Sequence, residues 1–313
     1  MDTLFQKKWV VVVTAIFCAV LWGSAFPVLK IGYDELGMQT EDTMSKIVFA
    51  GIRFLLSGLM LVIGMFVVNK KNLLVTKRQF RVLILFGILQ TGIQYYFFYN
   101  GLAKISGMQG SILQSSGTFF TVLLAHFFYT NDKLTWKKGL GLITGFIGIV
   151  FSNWGQEFEL SFQLTGEGYM ILAGLTSAIA TIMAKELAVG IHPFALTGWQ
   201  FVIGSMLMLA IGVPQLDEGA ITFTPFGWGL LIYLAVLSAA AFALWFSILK
   251  FNKAGEISMF KFLTPVSGVI LSAIFVPGES INLYVIMAMA LISIGILAVN
   301  YKGKHHKQLE SNT

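Results

Sequence analysis

The sequence predicts an all-α integral membrane protein: ten transmembrane helices arranged as two inverted five-helix repeats around a central cavity. Three observations carry that expectation. Of 313 residues, 56% are hydrophobic and only 12% charged, with a mean hydropathy of +0.78. Soluble domains carry about 25% charged residues, and a chain of this length has no soluble core large enough to hide so much apolar surface. The apolar residues fall into ten runs of spanning length. Residues 98–152 and 246–300 also align without a gap, so that Gly107 falls on Gly255, Gly117 on Pro265, Phe127 on Phe275 and Asn131 on Glu279. Identity between the copies is low; the shared hydropathy profile and break positions make the repeat.

A helix crossing the hydrocarbon needs roughly 17–25 mostly apolar residues. The runs cover about 9–30, 44–68, 80–102, 107–129, 136–152, 165–187, 192–213, 226–249, 255–275 and 281–300. The first has no small-residue cleavage site behind it and reads as a retained helix rather than a signal peptide. The fifth is the shortest. Pro193 suits the first turn of the seventh. Trp9, Trp136 and Trp154 sit at span ends as interface anchors, whereas Trp22, Trp199 and Trp245 lie deeper. This divides the chain into a first unit, 9–152, a second, 165–301, and a basic tail, 302–313.

Charge sets the sidedness. Alternate loops, counted from the N-terminus, hold Lys7 and Lys8, then Lys70, Lys71, Lys77, Arg78 and Arg81, then Lys133, Lys137 and Lys138, then Lys185, and later Lys250, Lys253 and the tail lysines. The opposite loops hold Asp34, Glu35, Glu41, Asp42, Glu157, Glu159, Asp217, Glu218 and Glu279, with Lys104 nearly alone among bases. Lysine and arginine stay cytoplasmic, so both termini are expected inside. Five spans per half then turn the second unit over, which makes the repeat inverted. These loops account for the net charge of +6, so no nucleic-acid partner is implied.

Ionisable groups at bilayer depth are costly, about 2.5–3.5 kcal/mol on insertion scales, and mark pathways. Arg53 lies near the middle of the second run, where Gln200 is expected opposite it. Lys261 lies about two turns into the ninth. No Asp or Glu reaches that depth, which argues against a proton antiporter for cationic drugs and favours a substrate with a carboxylate or other negative group. Gln90 and Gln94 share one face of the third run, which also carries Tyr95 and Tyr99. Gln114 belongs to a small-and-polar seam with Gly110, Gly117 and Thr121. Trp199 and Trp245 are candidate cavity walls, and Pro27 and Pro265 interrupt helical hydrogen bonding as candidate hinges. The candidate substrate contacts are therefore Arg53, Gln90, Gln94, Tyr95, Tyr99, Gln114, Trp199, Trp245 and Lys261. Gly141 and Gly145 form a small-xxx-small pair, and His126 reads as a polar cap near the interface. The single cysteine, Cys18, rules out an internal disulfide, and there is no HExxH, Walker loop or histidine cluster. No catalytic residue, metal or cofactor is expected.

These residues resemble the drug/metabolite transporter superfamily, in particular its EamA-type families, over about Ala15 to Tyr301. The matching motifs are Leu21-Trp22-Gly23-Ser24-Ala25-Phe26 with Lys30, Arg53-Phe54, and Phe262-Leu263-Thr264-Pro265-Val266. Pro277-Gly278-Glu279 precedes a final run containing Ile294-Gly295-Ile296-Leu297. The first half departs from the pattern, with Gly117 in place of the family's proline and Asn131-Asp132 in place of its Gly-Glu. The resemblance implies a ten-helix basket and export or exchange of small metabolites, often amino acids or related compounds. The partners expected are membrane lipid and a small-molecule substrate, in the cell membrane of a bacterium; oligomeric state is left open. Alternatives are a phosphorylated-metabolite or nucleotide-sugar exchanger within the superfamily and, from other classes, a channel or a lipid-handling membrane protein.

Overall fold

A computed structural model describes residues 4–153, 162–276 and 281–300. Trp154, Glu157, Glu159, the Pro277-Gly278-Glu279 motif and the 302–313 tail lie outside the described residues. Those described form helices and connecting turns, with no strand among them. In chain order they are α1 (Lys8–Glu35), α2 (Thr43–Leu73), α3 (Lys77–Lys104), α4 (Gly107–Gln114), α5 (Ser116–Phe128), α6 (Trp136–Asn153), α7 (Leu164–Gly190), α8 (Pro193–Gln215), α9 (Pro225–Phe251), α10 (Ala254–Phe275) and α11 (Leu283–Asn300).

Seven of these are long and apolar enough to cross a membrane by length and composition: α1, α2, α3, α7, α8, α9 and α10. The difference from the ten expected spans lies in the fourth, fifth and last runs. The fourth divides at Ser115 into α4 and the shorter apolar α5, while α6 and α11 are not among the seven. Together the helices define a multi-pass membrane protein. Lipid-facing surface explains the exposed side chains of Phe66, Val67, Phe127 and Trp136, which water would not tolerate together.

Local chemistry sets the helix ends. Thr76 and Gln79 form a reciprocal capping box at the start of α3, and the Thr224 hydroxyl accepts from Gly227 N at the start of α9. Pro193 takes the first turn of α8, where its missing N–H costs nothing. The main packing pairs are α1 on α10 and α9, α7 on α5 and α3, α2 on α8, and α6 on α11. Gly23 makes the α1–α10 crossing possible: a Cβ there would lie 2.7 Å from Gly268 N and 2.8 Å from Thr264 O. Gly141 and Gly145 face α11 and the Phe262 ring, so their small-residue pattern is used inside the chain. The loop after α5 folds over its own helix end, where His126 Nδ1 accepts from Leu134 N and its carbonyl accepts from Lys133 Nζ.

Candidate substrate cavity

A cavity opens in the middle of the bundle, between α1, α2, α3, α4, α5, α7, α9 and α10. Backbone irregularities surround it. Residues Ile88–Ile93 widen from α to π-helical winding, which rotates Gln90 and Gln94 out of the regular register of α3. The chain turns at Ser115, and α10 tightens to 3₁₀ winding over Met259–Phe262. Pro265 follows that tightened stretch in the first turn of renewed α-helix, where its missing N–H interrupts little. Pro27 instead lies within unbroken α1 and leaves the Gly23 carbonyl without its helical donor.

Lys261, on the 3₁₀ stretch, reaches into the cavity. Its Nζ donates to Thr181 Oγ1 at 3.3 Å and sits over two indole faces, Trp245 at 5.1 Å and Trp22 at 5.7 Å. Arg53 is buried on the α2 wall. Its Nε donates to Ser238 Oγ at 3.0 Å and Leu234 O at 3.2 Å, and its Nη1 donates to Tyr99 Oη at 2.8 Å. Every one of these partners is neutral. The ion pairs Lys104–Glu41, Lys138–Asp132 and Lys253–Glu256 lie elsewhere, and no Asp or Glu is among the cavity-lining residues described.

Most polar candidates converge as the sequence suggests. Gln90 donates its amide to Gln94, and both line the cavity with Tyr95, Gln114, Trp245, Lys261 and Arg53. Several lining atoms have no hydrogen-bond partner: Gln114 Oε1, Thr118 Oγ1, Thr264 Oγ1 and the indole nitrogens of Trp22 and Trp245. Buried polar groups are ordinarily paired, so this set calls for water or a ligand.

Three expectations need correction. Tyr99 lies outside the cavity lining; it is fully buried behind Arg53 and holds the guanidinium. Trp199 lies at the α2–α3 turn, donating to Leu73 O at 3.1 Å with its ring edge-on to Phe80. A helical position gives depth along the axis, but the α8 face that carries Trp199 points away from the bundle centre. Gln200 does not meet Arg53 either; its side-chain amide has no partner, while its carbonyl accepts from Thr91. Sequence reasoning missed Ser177 and Thr181 as lining residues. Their only signal was the Ser/Thr content of the sixth run, which equally fits close helix packing.

A helical membrane protein with a cation-bearing cavity of mixed aromatic and polar lining at its centre has the form of a transporter. The EamA-like transporter family matches residues 9–154 and 164–301, and the chain belongs to that family. It is 24% identical to the uncharacterized transporter YoaV of Bacillus subtilis (strain 168), over 88% of this chain and 91% of that one. It is 25% identical to protein PecM of Dickeya dadantii (strain 3937), over 95% and 96%. A WAT1-related chloroplastic protein of Arabidopsis thaliana is 24% identical over 94% of this chain and 69% of its own length. A solved crystal structure shares the fold at a TM-score of 0.74 and 14% identity, covering 94% of this chain and 97% of that one. Family and relatives alike point to a transporter with no enzymatic role.

Proposed function

We propose that this protein exports a small carboxylate-bearing metabolite, such as an amino acid or a related compound, by alternating access. The observation that carries the reading is the pairing of Lys261 and Arg53 with unpartnered polar atoms in one cavity whose described lining holds no acid. Uncompensated cations in a low-dielectric site favour an anionic group on the occupant. Gln90, Gln94 and Gln114 supply further donors and acceptors, and Tyr95 and Trp245 supply apolar walls. Arg53, gripped by three neutral acceptors, both shapes the site and sets its potential.

Movement is assigned to two inverted five-helix units, 9–152 and 165–301, with ten spans and both termini cytoplasmic. The helix pairings support this assignment. The α1–α10 contact has its counterpart in α7–α5, the α1–α9 contact in α7–α3, and α2–α8 and α6–α11 pair like with like. Crossing detail agrees: Gly174 meets Ser116 and Gly117 as Gly23 meets Ser267 and Gly268. That correspondence places Gly268 opposite Gly117, about one helical turn beyond the Pro265 of the ungapped alignment. The break at Ser115 and the 3₁₀ stretch of α10 then become the bending points, with Pro265 beside the second and Pro27 a separate interruption within α1.

The test is transport by the purified protein in vesicles. Lys261→Ala is expected to cut uptake of an anionic or zwitterionic substrate at least tenfold with unchanged thermal unfolding. Unchanged kinetics would remove Lys261 from the site.

A further inference from the structure

We infer that the cavity is built for a small diacid, an anion with acid groups at two ends, in preference to a zwitterion with a single acid group. The inference rests on the transport reading above and narrows its substrate. Helix α9 serves as a ruler. Arg53 is fixed to it at Leu234 and Ser238, whereas Lys261 sits over Trp245, two helical turns further along. At 1.5 Å per residue the α9 positions that they contact, Ser238 and Trp245, are roughly 10 Å apart along the helix axis. A single carboxylate or phosphate bridges hydrogen-bond partners only a few ångströms apart and cannot answer both. Allowing about 2.7–2.9 Å for a charge-assisted hydrogen bond at each end leaves about 4–5 Å between the facing oxygens of two acid groups. With carbon–carbon bonds of about 1.5 Å, that is the reach of a diacid with a spacer of about two or three carbons.

The rest of the lining agrees. A zwitterion brings an ammonium group that is best held by a carboxylate or an indole face. The described lining has no Asp or Glu, the indole faces of Trp22 and Trp245 already carry the Lys261 ammonium, and the other lining rings, those of Phe26, Tyr95, Phe98, Phe242 and Phe246, are weaker hosts for a cation. A diacid brings acceptors instead. One carboxylate accepts from the Lys261 ammonium, which keeps its place over the indoles. The other meets Arg53, whose Nη2 makes no hydrogen bond to any described residue. The unpartnered indole N–H groups of Trp22 and Trp245 and the hydroxyl of Thr264 are donors suited to carboxylate oxygens.

The experiment compares three labelled compounds of similar length in vesicles holding the full chain. They are succinate, with two acids; succinamate, with one acid and one amide; and 4-aminobutyrate, a zwitterion. Glucose 6-phosphate, whose two charges share one group, is the fourth arm. Saturable succinate flux at least tenfold above the other three is expected. Lys261→Gln should bring succinate and succinamate within about twofold, and Lys261→Arg should restore the preference. Flux of 4-aminobutyrate or glucose 6-phosphate equal to or above succinate would overturn the diacid assignment while leaving a transporter. A succinate preference that survives Lys261→Gln would overturn the two-ended grip. Absence of saturable flux for all four, with the protein folded, would sink the diacid inference, and the carboxylate reading would fail with it if no amino acid were carried either.

Discussion

Replacing Gly23 with alanine tests whether the close approach of α1 and α10 sets the shape of the cavity. A methyl group at Gly23 would sit 2.7 Å from Gly268 N and 2.8 Å from Thr264 O, with Ser267 Oγ closer still. The hydroxyl has other rotamers, although Ser267 is tied to Leu263 O, Thr264 O and Ala19 O. The backbone atoms have none, so the helices must separate. Overpacking of this kind costs about 1–3 kcal/mol. Against it stands the helix propensity of alanine over glycine, about 0.8–1 kcal/mol in favour of the variant. The net expectation is destabilisation by up to about 2 kcal/mol. Gly64, in α2, is the control: nothing lies within 4 Å of its added Cβ, so Gly64→Ala should be neutral or slightly stabilising. Both variants are to be unfolded thermally in the same detergent, and transport measured in vesicles. Because Trp22 adjoins Gly23 and Lys261 lies on α10, separation of the helices should also raise the substrate KM of Gly23→Ala. A Gly23→Ala protein as stable as Gly64→Ala, with wild-type KM, would refute the close-crossing argument.

Two other expectations follow from single contacts. Asp132 is buried, pairs with Lys138 and accepts from Gly255 N at 2.7 Å, tying the loop after α5 to the start of α10. Asp132→Ala strands the Lys138 charge and should cost about 3–5 kcal/mol, whereas Asp132→Ala with Lys138→Met should recover part of that loss. Thermal unfolding of the two variants in parallel checks this, and an equally unstable double variant would argue against a stranded charge. Trp199→Phe should leave substrate KM within about twofold, since the indole bonds Leu73 O away from the cavity; a KM rise of tenfold would return Trp199 to the site.

Much of the site was legible because burial of polarity in a membrane is expensive. Arg53, Lys261, Gln90, Gln94 and Gln114 stand out from their apolar runs, and all five line the cavity. Aromatic residues carry no such signal. Trp199 and Trp245 look alike in sequence, and only the rotation of α8 and α9 separates a wall of the cavity from an anchor at a turn. Tyr99 shows the same limit at shorter range: one turn from Tyr95 on the same face of α3, it lies behind Arg53 instead of before the cavity.

The sequence by itself determined the solvent: 56% hydrophobic residues in long runs commit this chain to a bilayer, where helices satisfy their own backbones. It also determined that two cations would lie at bilayer depth without an acid beside them. What the tertiary structure alone decided was which faces meet. The π-helical stretch at 88–93, the turn at Ser115 and the 3₁₀ stretch at 259–262 depend on packing between segments far apart in the chain. Those irregular turns aim Gln90, Gln114 and Lys261 at one space, and a hydropathy profile, which reports depth but not rotation, holds no record of them.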